Sequence, residues 1–234
     1  MKPFIACLML TSPDGSLHPS RWTKSPDGDR PDFSKVCDKV REELRCQAWM
    51  VGRATMVEMA KGVPHAPEGP YNVSRPSHFA NRDAKSFGVA IDRSGAVHYM
   101  GPDLFGDHII TLLGRDVPDS YLAELAADGV SYVVAETADF DVGKLLDVVN
   151  RELGVERIVL EGGAATNGAL LAAGLVDELN FIVAPALEAR SGTDSVVEFG
   201  TDGLAGKVEL SLIECQTLGH GMVNLRYAAA KPRP

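Results

Sequence analysis

Apolar and polar positions along the chain alternate between two kinds of segment. Short apolar runs of strand length occupy residues 3–10, 47–52, 87–92, 107–113, 130–135, 156–160 and 178–184. Between most of them lie stretches with helical spacing, at 33–46, 54–60, 118–128, 141–153 and 165–173. In the first of these, Phe33, Val36, Val40 and Leu44 share one face. A run at 96–99 predicts a strand paired with 87–92 through a turn at Asp92-Arg93-Ser94-Gly95, and 207–217 with 221–229 predicts a terminal hairpin. Two polar segments, 11–32 and 61–85, read as long loops, which in a compact domain are usually functional or disordered. Strands that alternate with helices call for a mostly parallel central sheet with both faces covered. The expected fold class is therefore α/β, three-layered, with the hairpin adding antiparallel strands. One domain over residues 1–230 and a disordered tail at 231–234 complete the expectation.

The most informative segment is 157–186. Its apolar run Ile158-Val159-Leu160 stops at Glu161-Gly162-Gly163, and a helical pattern begins at Ala164-Ala165. Two glycines between a strand and a helix let backbone approach a ligand closely. The first helical turn then offers unpaired N–H groups and a positive dipole end to an anion. Gly162, Gly163, Ala164 and Ala165 are the expected pyrophosphate cradle of a nucleotide cofactor; a tight turn without ligand is the alternative. A carboxylate beside phosphate is unfavourable, so Glu161 is expected to point toward substrate or a backbone group. No G-x-G-x-x-G with its acidic partner occurs, so a Rossmann domain is not supported.

Composition narrows the class. A net charge of −9 argues against non-specific nucleic-acid binding. The four cysteines are dispersed, with no Cys-x-x-Cys pair. A reduced, cytoplasmic protein without structural zinc is expected, with Cys7 and Cys215 in the core. No stretch is long and apolar enough for a membrane span, and no signal peptide is evident. The six histidines show no ligand spacing and read as unrelated surface or edge residues; no metal site is expected.

Two more segments join the Glu-Gly-Gly turn. Residues 3–15 end in Thr11-Ser12-Pro13-Asp14-Gly15, and residues 49–57 carry Gly52-Arg53-Ala54-Thr55 where a strand gives way to a helix. In this order and spacing, and followed by Leu175-Val176-Asp177-Glu178-Leu179, the chain resembles the reductase domain of riboflavin biosynthesis over roughly residues 3–228. The resemblance implies a dihydrofolate-reductase-like fold, an NADPH cofactor and a homodimer, with the C-terminal hairpin a candidate interface. It also implies hydride transfer to a heterocyclic amine or its imine, 5-amino-6-(5-phosphoribosylamino)uracil or a related pyrimidine.

Candidate site residues follow. Gly52 permits close approach, Thr55 offers a hydroxyl, and Arg53 can grip a phosphate with paired hydrogen bonds; the alternative is a solvated arginine and a helix cap. Asp92, Arg93 and Ser94 are candidates for the adenosine 2′-phosphate, or form an ordinary turn. Asp14 is the candidate to orient or protonate a heteroaromatic amine, or else part of a Pro-Asp-Gly turn. Ser12, Arg21, Trp22, Thr23 and Lys24, with an aromatic plate, two cations and hydroxyls, suit a flat ring bearing a phosphorylated sugar.

The chain departs from the family at Met56–Gly62, where many members carry Asp-Asp-Pro-x-Leu-x-x-Arg. Arg75 and Arg82 are the possible substitutes. No His-x-Glu or Pro-Cys-x-x-Cys occurs, so no deaminase activity is expected. Two rivals stay open: a related reductase of a dihydropterin, enone or other C=N or C=C substrate, and a non-catalytic NADPH-binding protein.

Overall fold

The computed structural model describes residues 1–192 and 195–232; Arg233 and Pro234, the end of the expected tail, lie outside the described residues. In chain order, β1 (Phe4–Thr11) is followed by α1 (Arg30–Glu43), β2 (Ala48–Gly52), α2 (Arg53–Ala60) and a short β3 (Ser77–His78). Then come β4 (Phe87–Asp92), β5 (Asp103–Leu104), β6 (Asp107–Leu113), α3 (Asp119–Ala127), β7 (Ser131–Val134) and α4 (Val142–Leu153). The last elements are β8 (Arg157–Leu160), α5 (Ala164–Ala172), β9 (Glu178–Val183), β10 (Glu209–Thr217) and β11 (Val223–Ala230). These form two compact units, Met1–Pro3 with Gln47–Ile158, and Phe4–Cys46 with Val159–Pro234.

In the first unit β2, β4, β6 and β7 lie side by side and parallel, with Ala48 opposite Phe87, Phe87 opposite His108 and Ile110 opposite Ser131. β3 adds antiparallel to β7 and β5 antiparallel to β6. Parallel neighbours need crossovers, and α2 and α3 lie in the segments that supply them. The strands are apolar on both sides because both faces are covered. Met50, Val89, Ile109, Ile110 and Leu112 are fully buried, as are Leu122 and Leu125 of α3 and Leu146 of α4.

In the second unit β1 pairs parallel with β9, Ala6 opposite Glu178, and β11 pairs antiparallel with β9 on one side and β10 on the other. The pairing of β10 shifts register between Leu212 and Glu214. The mixture of parallel strands and an antiparallel C-terminal hairpin is the α/β arrangement expected from the pattern.

The differences have local causes. Helix α1 starts three residues before the expected Phe33, because Asp29 and Asp32 form a reciprocal capping box with proline in the first turn. No strand forms at 96–99. The Asp92 carboxylate takes the N–H groups of Ala96 and Val97 at 2.6 and 2.8 Å, so those donors are unavailable to a ladder. Cys215, expected in the core, is exposed, because every residue of β10 is exposed; Cys7 is buried as expected. No helix among the described residues is long and apolar enough to cross a membrane.

Candidate functional site

In the second unit, β8 ends at Leu160 and the backbone turns through Gly162 and Gly163 at φ 141° and 83°. Both values lie where a Cβ is disfavoured. A Cβ built on Gly162 would meet nothing within 4 Å, so this backbone faces open space. Gly163 is the N-cap of α5 and supplies no side-chain acceptor. The first N–H groups of α5, from Ala164 and Ala165 onward, are therefore not capped by the residue that usually does so. That is the arrangement an anion fills. One turn along, Gly168 is required by crowding: a Cβ there would lie 2.0 Å from the Glu198 carbonyl. Asn167 is fully buried and donates to the Val196 carbonyl at 2.9 Å, which fastens the same passing segment to the helix.

Glu161 forms an ion pair with Arg41 of α1, Nε to Oε1 2.9 Å. Arg41 lies among the α1 charges Asp38, Lys39, Glu42 and Glu43, and its partner is remote in sequence, so no spacing rule links them. Its guanidinium offsets a carboxylate that would otherwise weaken the positive end of α5. Burial, with a smaller contribution from Glu161, pushes the Cys37 thiol up to about 12, which disfavours its thiolate.

The segment after β1 is an ordered loop. Ser12 is buried; its hydroxyl donates to Asp14 Oδ1 and accepts from the Ser16 N–H. Asp14 is exposed, and its other oxygen accepts from the N–H groups of Glu188 and Ala189 at 3.1 and 2.6 Å. Bonds from Ser12 and from these amides hold its carboxyl below the usual range. Thr23 exchanges two hydrogen bonds with Leu187, its N–H to the carbonyl at 2.8 Å and its Oγ1 from the N–H at 3.0 Å. Trp22 donates through Nε1 to Ser16 Oγ, and Arg21 lies 3.6 Å from Glu188. Ser16 also bonds Glu188, whose Oε1 is buried without a hydrogen-bond partner. Sequence reasoning missed Glu188, which sits in no recognisable motif. Lys24 is exposed. An open pocket of about 410 Å³ lies against Leu17–Ser20, Arg30 and Ser34.

In the first unit, Gly52 is the N-cap of α2, and it too offers no side-chain cap. Thr55 lies inside that first turn and is not the cap. Arg53 is exposed, and its Nη1 donates to Ser94 Oγ at 3.2 Å, so two candidates far apart in sequence share one spot. Asp92, a candidate for the 2′-phosphate, is instead fully buried: it accepts from Ala96, Val97, Tyr121 and, at 3.3 Å, the Ser94 hydroxyl, so its carboxylate shapes the turn that holds Ser94. Arg93 reaches the Ala138 carbonyl at 3.4 Å. That segment borders a pocket of about 230 Å³ lined by Pro76, Val133–Thr137 and Lys144. Neither suggested substitute for the missing family arginine is free. Arg75 is engaged with Asp119 and the Arg115 and Val117 carbonyls. Arg82 pairs with Glu152 and covers Phe79.

Comparison with known proteins identifies the family. A profile of the RibD C-terminal domain matches residues 3–224. The 2,5-diamino-6-ribosylamino-4(3H)-pyrimidinone 5′-phosphate reductase of Methanothermobacter thermautotrophicus is 32% identical over 123 residues. That match takes in 51% of this chain and 56% of the relative, so the chain spans little more than half the length of the curated relative it matches. Among solved structures, a pyrimidine reductase-like protein of Corynebacterium diphtheriae superposes with a TM-score of 0.66 at 20% identity, covering 98% of this chain and 93% of the other. RibD of Acinetobacter baumannii gives 0.65 at 17%, covering 98% and 59%. The riboflavin biosynthesis reductase Rib7 of Saccharomyces cerevisiae gives 0.57 at 14%, covering 98% and 90%.

Proposed function

Because the chain belongs to the RibD C-terminal domain family, we propose that it is an NADPH-dependent reductase of a phosphorylated ribosylamino-pyrimidine in riboflavin biosynthesis. The observation that carries this is the α5 N-terminus: two left-handed glycines, an open face at Gly162 and uncapped amides. Those features fit a pyrophosphate. Gly162, Gly163, Ala164 and Ala165 would hold it through backbone N–H groups. Gly52, Arg53 and Thr55 would bind phosphate at α2, with Arg53 and Ser94 reading the 2′-phosphate. Arg93 would approach the adenosine end, beside the pocket at Pro76 and Lys144. NADPH, when bound, supplies the hydride, and the protein contributes alignment.

On the substrate side, Ser12, Arg21, Trp22, Thr23 and Lys24 would bind the pyrimidine and its phosphorylated sugar. Asp14, held ionised by its donors, would orient an amine, with water supplying the proton. Glu161 would meet substrate from its ion pair with Arg41. A homodimer through β10 belongs to the same reading, supported by the exposure of Leu210, Leu212 and Ile213 along that strand. Four free cysteines support a reducing, cytoplasmic setting.

One observation favours a second reading, a related reductase of another substrate. The Asp-Asp-Pro stretch is missing, and Arg75 and Arg82 are committed elsewhere.

Calorimetric titration with NADPH and NADH comes first. Micromolar binding with preference for NADPH is expected, and absence of binding to both overturns the reading. Turnover is then followed by loss of nicotinamide absorbance with ribosylamino-pyrimidine phosphates, dihydrofolate and simple enones. Reduction of the phosphates is expected; reduction of only the others moves the protein to the second reading. NADPH binding with no turnover of any acceptor would leave a binding protein.

A further inference from the structure

The first unit carries a cluster of ligating side chains that the proposed reaction does not use. Glu124 of α3 and Asp128, its C-cap, stand at i and i+4, so both carboxylates project from one side of the helix end. His65 arrives from the irregular segment after α2. Its Nε2 lies 2.9 Å from Asp128 Oδ1, while its Nδ1 lies 2.7 Å from the Val63 carbonyl and 3.4 Å from Glu124 Oε1, so one ring nitrogen faces each carboxylate and an ion would take one of the two. His98, from the segment after β4, places Nδ1 2.5 Å from Glu124 Oε1. One donor atom each from His65, Glu124 and Asp128 lies within 4.8 Å of the others. In a filled tetrahedral site with bonds near 2.05 Å the spacing is about 3.3 Å.

Two features call for a cation there. Glu124 is buried, and beside the His65 N–H at 3.1 Å its side-chain partners among the described residues are the His65 and His98 rings, while Asp128 meets the His65 ring. A buried carboxylate is costly without a counter-charge. Moreover, Asp128 Oδ2 is buried and accepts no hydrogen bond, a lone pair held ready with nothing on it. The negative end of α3 adds to the attraction.

We infer that His65, Glu124 and Asp128 form a binding site for a first-row divalent cation of the zinc class, with His98 orienting Glu124. One imidazole and two carboxylates suit Zn²⁺ or Co²⁺ better than the all-oxygen cages of Ca²⁺. His98 supplies the outer hydrogen bond that ligating carboxylates commonly receive. His65 is part-exposed, which gives the ion an entry path. The bound ion displaces the proton between His65 and Asp128 and ties the 61–76 segment to α3. Its role is structural, and it uses none of the residues proposed for cofactor or substrate. The sequence hid it, since the two histidines stand far apart and show no ligand spacing with each other.

The test is calorimetric titration of the metal-stripped full chain with Zn²⁺, with Co²⁺ absorption as a second readout. One equivalent is expected to bind, raise the melting temperature and protect the 61–76 segment from limited proteolysis. His65→Ala and Asp128→Asn, both at partly exposed side chains, are each expected to weaken binding at least about tenfold. His98→Ala is expected to weaken it about 10- to 100-fold, as for other supporting residues. His220→Ala, at an exposed histidine of the second unit, is expected to change nothing. Circular dichroism confirms that the variants are folded. No saturable binding overturns the inference, and so does stoichiometric binding that survives both His65→Ala and Asp128→Asn.

Discussion

At the scale of single residues, the site candidates separate by what their atoms already do. Arg53 spends one Nη1 bond on Ser94 and is otherwise exposed, so it can grip a phosphate. Arg53→Ala is expected to weaken NADPH by about 1.5 kcal/mol, roughly tenfold, with little change for NADH. Paired titrations check this, and equal losses for both cofactors would reassign Arg53 to the pyrophosphate. Arg41→Ala removes a cation near the α5 N-terminus. A loss of about fivefold is expected for NADPH and NADH alike, corresponding to ~1 kcal/mol of helix-end electrostatics. Asp14 behaves differently, since its folded carboxyl is held below its usual value by Ser12 and the Ala189 and Glu188 amides. A depressed carboxyl contributes stability above its unfolded pKa, near 3.9, and loses it as pH falls through the folded value. Thermal melts should therefore show wild type above Asp14→Asn at pH 7, with the gap shrinking below about pH 4. A gap independent of pH would refute the linkage.

At the scale of elements, α5 shows two glycines needed for opposite reasons. Gly163 answers a backbone demand, a positive φ at the N-cap. Gly168 answers crowding, because a Cβ would strike the Glu198 carbonyl. Gly163→Ala should cost about 1–2 kcal/mol through the left-handed backbone and weaken NADPH as the first turn shifts. Gly168→Ala should cost about 1–3 kcal/mol by overpacking. Chemical denaturation with and without NADPH distinguishes them: Gly168→Ala should retain a larger share of the ligand-induced stabilisation.

At the scale of the whole molecule, β10 is the least self-sufficient element. All nine of its residues are exposed, and Leu210, Leu212 and Ile213 are each about half or more accessible. A long edge strand with aliphatic side chains invites pairing with another chain. For the dimer proposed through β10, Leu212→Lys should give a monomer in light scattering where wild type gives a dimer, while leaving the thermal unfolding of the monomer cooperative. A wild-type monomer at micromolar concentration would remove β10 as an interface.

The order of elements was legible in the sequence because it rests on local rules. Apolar runs become strands, and β6 spans the very residues, Asp107–Leu113, that the pattern marks. The Gly-Gly turn at the start of α5 is local in the same way, as strand, turn and helix follow one another in the chain. What the pattern misjudged depended on partners. The 96–99 run has strand character, yet Asp92 captures its amides. Cys215 sits in an apolar stretch, yet its strand lies at an edge. The pairs Arg41–Glu161, Arg53–Ser94 and Asp14–Ala189, and the meeting of His65 and His98 on Glu124, join residues distant in sequence. Periodicity carries information over a few residues, whereas charge pairing and carboxylate satisfaction act through space. Sequence alone therefore determined the class of fold and the place of its Gly-Gly turn, and the tertiary structure decided which side chains remain available for chemistry.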